Sequence, residues 1–409
     1  MVTITDIETA RAILKGIIVE TPVLLTNRLS QDVGTPVYVK AENTQRTGSF
    51  KPRGAYVKLA SLSPEERHKG VITHSAGNHA QGLALAAKLL TVPATVVMPK
   101  FAPLAKVVAT RRYGAEVILH GASFDEAGEH ARSIQAQRGL TYVHAFDDEK
   151  TIAGQGTVGL ELLEAVPDVD TVIVPVGGGG LIAGIAIAFR SRRPNVRIIG
   201  VQAEGCASIR LSLEAGRPEM VPQARTIADG IAVTRPGNLT LPVIRDLVDD
   251  VVTVDDDEIA RGIVYALQNL ALVVEGGGAV GIAALLSGRV RPRDNERVAV
   301  VLSGGNIDAN FLGRVIEQVL VTQGRYVILH TTVLDRPSHL AQLVGVIGDA
   351  GANIIDIDHR RAAWQVPLDQ VGIELLLEVR DHAHAGQVMD ALRSAGYKVE
   401  RAGEGEYPV

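Results

Sequence analysis

Eight short runs rich in β-branched residues punctuate the first three-quarters of the chain, at 37–41, 71–74, 94–98, 116–119, 142–145, 171–176, 197–202 and 297–302. Between them lie stretches with helical spacing, such as 79–90, 105–113 and 124–137, long enough to carry the chain back across a sheet. Short strands alternating with helices predict parallel sheet, and hence an α/β fold. Ligands of such sheets bind beyond the carboxyl ends of the strands, so the residues that follow strands are where chemistry is expected.

A chain of 409 residues that is 46% hydrophobic buries a large core and is long enough for at least two domains. The formal charge of −5 and the lack of a basic run interleaved with aromatics argue against nucleic acid or an anionic membrane as partner. Residues 171–189 carry no charged side chain and approach the roughly 20 residues that cross a bilayer. Pro175 and the glycines that follow divide this stretch into a β-rich half and a helical half from Leu181, which predicts a buried strand, loop and helix. A single cysteine, Cys206, rules out an intrachain disulfide, and the opening Met1-Val2-Thr3-Ile4-Thr5-Asp6 has no signal-peptide character, so a cytoplasmic protein is expected. The eleven histidines show no metal-binding spacing.

Four segments carry chemistry. In Ser49-Phe50-Lys51-Pro52 a lysine stands just ahead of a proline, whose φ of about −65° suits the first turn of a helix. Lys51 is expected at a helix mouth, where the helix dipole and desolvation in a dry cleft lower its pKa toward a neutral amine that forms Schiff bases and moves protons. Gly177, Gly178, Gly179 and Gly180 follow a strand and open a helix, so their N–H groups are free to converge on an anion such as a phosphate. Neither dinucleotide-type glycine spacing nor a P-loop ending is present, which disfavours a nucleotide. The turn Ser75-Ala76-Gly77-Asn78-His79 again joins strand to helix and exposes N–H groups suited to a carboxylate, although Ser75 and Asn78 also suit helix caps. Ser303 follows the last of the eight strands, in a turn.

Taken in order over residues 40–306, these segments resemble the serine/threonine dehydratase group of the fold-type II pyridoxal-phosphate enzymes. The resemblance is strongest in Glu42-Asn43-x-Gln45-x-Thr47-Gly48-Ser49-Phe50-Lys51-x-Arg53-Gly54-Ala55. It implies two parallel-rich open sheets with helices on both faces, in a catalytic unit over 1–323 whose smaller lobe spans about 53–150. It also implies that Lys51 holds the aldehyde of pyridoxal 5'-phosphate, Phe50 packs on its ring, Asn78 meets its 3-hydroxyl, the four glycines grip its phosphate and Ser303 meets its ring nitrogen. A hydroxyl partner leaves that nitrogen unprotonated, a weaker electron sink with less transamination as a side reaction. The substrate carboxylate falls to the turn of Ser75, Ala76, Gly77, Asn78 and His79. Segments 153–157, 228–233 and 275–279 resemble other pocket segments, with Gln155 as a substrate contact. Glu275 reads equally as a buried proton carrier, a helix cap or an arginine partner.

The serine racemases of the group usually carry serine where Ala76 stands; alanine transfers no proton, so elimination is favoured. Positions that bind a divalent cation in some relatives hold Gln202 and Ser208, which predicts no metal site. The implied reaction is β-elimination of L-threonine to 2-oxobutanoate and ammonia, with L-serine as a second substrate. A serine racemase or another hydroxy-amino-acid eliminase is the alternative on the same fold, and a non-catalytic amino-acid sensor the alternative of another class.

After Gln323 the pattern becomes strand 325–334, helix 337–350, strands 353–359 and 371–380, helix 383–395 and strand 398–401, a ferredoxin-like βαββαβ order. Asp335-Arg336-Pro337-Ser338-His339-Leu340, followed by Gly351-Ala352-Asn353-Ile354, resembles an ACT domain with serine where that family more often has glycine. This resemblance gives residues 324–409 an amino-acid effector, isoleucine or valine, or a purely dimerising role. A homodimer or homotetramer is expected.

Overall fold

A computed structural model describes residues 1–360 and 367–402; residues 361–366 and 403–409 of the expected C-terminal module lie outside the described residues. The chain divides into two compact units, one ending at Asp308 and one beginning at Ala309. The helix Ala309–Thr322 therefore counts with the second unit, whereas the sequence changes character only after Gln323.

The first unit holds β1 (Val23–Leu25), β2 (Val37–Lys40), β3 (Val71–His74), β4 (Ala94–Met98), β5 (Glu116–Leu119), β6 (Thr141–Tyr142), β7 (Thr171–Pro175), β8 (Arg197–Ala203), β9 (Asp250–Val254) and β10 (Val298–Val301). The larger sheet runs β1-β2-β10-β7-β8-β9, with every neighbour parallel except the antiparallel pair β1 and β2. The smaller sheet, β5-β4-β3-β6, is wholly parallel. Every residue of β7 and β10 is buried, so these strands read as unbroken apolar runs rather than as alternation, as strands covered on both faces do. The stretch 171–189 is strand, glycine loop and the helix Gly180–Arg192, whose Ile182, Ile185 and Phe189 pack on Val172 and Val174. Full burial of one such side chain as Phe189 is worth about 1.5–3 kcal/mol.

Two strands were not foreseen, and one is shorter than expected. β1 and β9 are the edges of the larger sheet, and their residues are mostly part-exposed, so neither carries a buried apolar run. The strand expected over 142–145 ends at Tyr142. Beyond it the chain turns, with His144 Nδ1 accepting the N–H groups of Phe146 (3.3 Å) and Asp147 (2.8 Å).

A sealed group of four charges lies beneath the helix Lys51–Ala60. Arg53, wholly buried in the first turn, donates from Nε and Nη2 to Glu42 (both 2.8 Å) and from Nη2 to Glu161 (2.8 Å). Lys40, at the end of β2 and equally buried, donates to Glu161 and to the carbonyl of Thr21 (2.6 Å). Burial works to raise the Glu42 pKa, yet the two cations and the Thr21 hydroxyl hold it below the usual carboxylate value. Glu161, on the helix Glu149–Ala165, thus joins β2 to two helices.

The second unit contains β11 (Tyr326–Leu334), β12 (Asn353–Arg360), β13 (Gln370–Glu378) and β14 (Glu400–Arg401), with helices His339–Asp349 and His382–Ser394. The antiparallel order β12-β13-β11-β14 and the βαββαβ succession make it ferredoxin-like. β11 alternates strictly, burying Val327, Leu329 and Val333 in a core with Leu343, Ile347, Val388 and Leu392. Ser338, where glycine is the more common residue in the resembling family, has φ of +74°, the left-handed backbone that glycine adopts without strain.

Replacing Arg53 by methionine leaves Glu42 buried with only the Thr21 hydroxyl and takes from Glu161 one of its two cations. The R53M variant is expected to lose about 3–5 kcal/mol of stability, read as a lower urea midpoint. An unchanged midpoint would show that Glu42 and Glu161 do not depend on it.

Candidate active site

The helix Lys51–Ala60 begins at Lys51 itself, with Pro52 in its first turn. The loop before it is pinned to the end of β10: Ser49 bridges Gly304, the Phe50 N–H donates to the Ser303 carbonyl (3.1 Å) and the Gly305 N–H to that of Gly48 (2.8 Å). Lys51 is thereby fixed at the carboxyl end of a central strand. Its Nζ donates to the Ala145 carbonyl at 3.0 Å, just where the short β6 has released the chain, and lies 5.0 Å from the centre of the Phe50 ring. Burial lowers its pKa from 10.5 to about 8, against the upward pull of Glu275.

Asn78 opens the helix Asn78–Leu90 after β3 and meets two residues from the larger lobe. Its Nδ2 donates to Glu275 Oε1 at 2.6 Å, and its Oδ1 accepts from Asn306 Nδ2 at 2.8 Å. The ends of β3 and β10 thus converge beside Lys51. Glu275 is buried at the start of the helix Gly276–Leu286; its side chain makes no capping bond, and its partner is Asn78 rather than an arginine. Burial, reinforced by Asp229, raises its pKa from 4.5 to about 7.

Gly177, Gly178 and Gly179 lie between β7 and the helix Gly180–Arg192, which Gly180 opens, as expected. Phe146 presses on them: a Cβ on Gly178 would fall 2.4 Å from its ring. Gly179 has φ of +95°. The Gly178 carbonyl accepts from Thr240 Oγ1 at 2.7 Å.

Not every expected residue faces the same task. Ser75 Oγ accepts the Gly77 N–H (3.2 Å), which tightens the turn around Ala76. The His79 ring is buried against the Val143 carbonyl (3.1 Å), and burial lowers its pKa to about 3, so its side chain is a neutral structural group. Gln155 is buried with Oε1 accepting the Gly54 N–H (3.2 Å), which engages it in packing two helices together. Ser303 Oγ has one long bond, 3.4 Å to the Gly277 carbonyl. Sequence reasoning missed Ala145, where a strand was read, and Phe146, just beyond that strand. It also missed an ion pair of Lys106, on the smaller lobe, with Asp229 on the larger. Glu161 left one signal, a lone carboxylate between Leu160 and Leu162.

These residues fit pyridoxal phosphate. Ser49 Oγ and Thr47 Oγ1 are buried without a partner close to Lys51, and Asn78 keeps one N–H beyond that given to Glu275. The glycine loop offers the side-chain-free helix start that a phosphate needs. Among the described residues no group of three or more His, Cys, Asp or Glu is placed to hold a metal ion, and no helix is long and apolar enough to cross a membrane.

In cofactor-free protein, acylation of Lys51 by an amine reagent, followed by peptide mass mapping, is expected to accelerate with pH around a midpoint near about 8. A midpoint at the ordinary lysine value of 10.5 would contradict its desolvation.

Residues 14–304 match the family model described as pyridoxal-phosphate dependent enzyme. The chain is 48% identical over 403 residues to the L-threonine ammonia-lyase of Thermotoga maritima, covering 98% of this chain and 100% of the relative. Among solved structures it is similar to the processed form of threonine deaminase isoform 2 from Solanum lycopersicum (41% identity, TM-score 0.74, 78% of this chain and 87% of that one). Maize serine racemase is as similar in shape (38% identity, TM-score 0.74, 78% and 98%). A lysine at a helix mouth, a glycine cradle and an asparagine between them, over a matched span of this length, place the chain in the family of pyridoxal-phosphate-dependent enzymes.

Proposed function

We propose that the chain is an L-threonine ammonia-lyase, converting L-threonine to 2-oxobutanoate and ammonia and acting also on L-serine. The observation that carries this reading is a partly desolvated amine, Lys51, in a site whose turn from Ser75 to His79 holds alanine at position 76. Both a deaminase and a racemase share the fold at the same TM-score, so shape does not choose between them. Ala76 favours elimination, because its methyl group has no exchangeable proton to give or take, and the extended match to the Thermotoga maritima protein supports the same choice.

Pyridoxal phosphate, held by Lys51, Asn78, the four glycines and Ser303, supplies when bound an electron sink for the charge left on the substrate Cα. Lys51 Nζ takes the Cα proton; its pKa of about 8 leaves an appreciable neutral fraction near physiological pH. The N–H groups of Ala76, Asn78 and His79, in a turn where those of Ser75 and Gly77 are already taken, orient the substrate carboxylate at the start of a 13-residue helix. The Ala145 carbonyl holds the lysine when it is not engaged. Loss of the β-hydroxyl and hydrolysis of the product then release the oxo acid and ammonia.

The second unit is the regulatory part of this reading. Its ferredoxin-like order and the turn from Asp335 to His339 support an amino-acid effector, isoleucine or valine, bound at an interface of a homodimer or homotetramer. The buried, unpaired Cys206 accords with a cytoplasmic protein.

Purified, cofactor-saturated protein is expected to release 2-oxobutanoate from L-threonine and pyruvate from L-serine, and K51A to lose both turnover and the visible absorbance of lysine-bound cofactor. Accumulation of D-serine without oxo acid would instead make it a racemase, and inertness toward both substrates a sensor. Isoleucine or valine is expected to displace the threonine saturation curve; curves unmoved by a panel of amino acids would leave the second unit an assembly role.

A further inference from the structure

Asn78 sits in a hydrogen-bond chain whose direction is set at both ends. The Thr47 carbonyl only accepts, so Asn306 must turn its Nδ2 toward it, at 2.6 Å. The same Nδ2 reaches Asn78 Oδ1 at 2.8 Å, which leaves the Asn78 Nδ2 facing Glu275 Oε1 at 2.6 Å. A carboxylate offers no N–H, so a flipped Asn78 amide would set oxygen against oxygen there and nitrogen against nitrogen at Asn306.

Room for this carboxyl is built into two separate loops. A Cβ on Gly304 would lie 2.4 Å from Glu275 Oε1 and 3.0 Å from Asn78 Nδ2, and one on Gly230 would lie 2.9 Å from Oε1. Although Glu275 stands at a helix start, its side chain leaves that helix uncapped. Its hydrogen bond is made across the lobes instead.

We propose that Glu275 is a positioning residue of the site: together with Asn306 it locks the Asn78 amide so that the remaining N–H is held for the ring oxygen of the cofactor, and it sets a titratable carboxyl one residue away from that oxygen. This inference rests on the pyridoxal-phosphate reading above. Three charged groups face the carboxyl: Asp229 opposes its ionisation, while Lys106 and Lys51 favour it. Since burial and Asp229 bring its pKa to about 7, its charge changes near neutral pH.

The test compares wild type, E275Q and E275L, each saturated with pyridoxal phosphate, by the pH dependence of the visible absorbance of lysine-bound cofactor and by kcat and KM for L-threonine. E275Q keeps an acceptor and removes the charge. It is expected to load cofactor, to shift the absorbance midpoint by about one pH unit and to lose the inflection near about pH 7 from its rate profile. E275L also removes the acceptor, and kcat is expected to fall about 10–100-fold with a smaller change in KM. Should either variant fail to fold, E275D, which keeps the charge and withdraws it by one methylene, is expected to give an intermediate shift. Variants that load cofactor with absorbance and rate profiles superimposable on wild type would overturn the role of Glu275 alone. A wild type that never acquires the absorbance would overturn the cofactor reading and this inference together.

Discussion

Two cations and two carboxylates closed off from water, Lys40, Arg53, Glu42 and Glu161, hold the catalytic lobe in register. They come from the end of β2, the turn after it and two helices, so four elements share one electrostatic joint. Removing such charges from water is costly, and the cost is recovered only when every partner is in place. The joint therefore tolerates one arrangement of the Lys51 helix and no intermediate ones. Lys51 lies two residues from Arg53, so the direction of its amine is inherited from a network closed off from solvent.

Charge is distributed differently above that joint. Lys51 is moved down to about 8 and Glu275 up to about 7, while burial keeps His79 neutral at physiological pH. The groups that change charge closest to neutrality are thus an amine and a carboxyl. The backbone does not divide eliminating from racemising chemistry, since a deaminase and a racemase share it.

Much of the site was legible because its chemistry is local. A lysine before proline, glycines after a strand and a polar turn before a helix each declare themselves within a few residues, and the structure sets them at strand ends. The parallel core strands were legible as unbroken apolar runs. What stayed hidden depends on distance along the chain: Glu161 meets Lys40 121 residues away and Arg53 108 residues away, and no local pattern announces such partners. The edge strands β1 and β9 lacked a buried face to mark them. Gln155 reads as a pocket residue by its neighbours, yet the close approach of two helices claims its amide. His144 ends β6 early by capping the turn, which places the Ala145 carbonyl where Lys51 needs it.

The pair of Lys106 and Asp229 joins the smaller lobe to the larger, and it differs in kind from the sealed joint below. Asp229 is 55% exposed and Lys106 16%. Mobile ions screen such a contact effectively, whereas they do not reach charges that have no solvent. Ionic strength therefore acts on one part of this catalytic unit and spares the other: dissolved salt loosens the strap across the lobes while the sealed joint keeps the aim of Lys51.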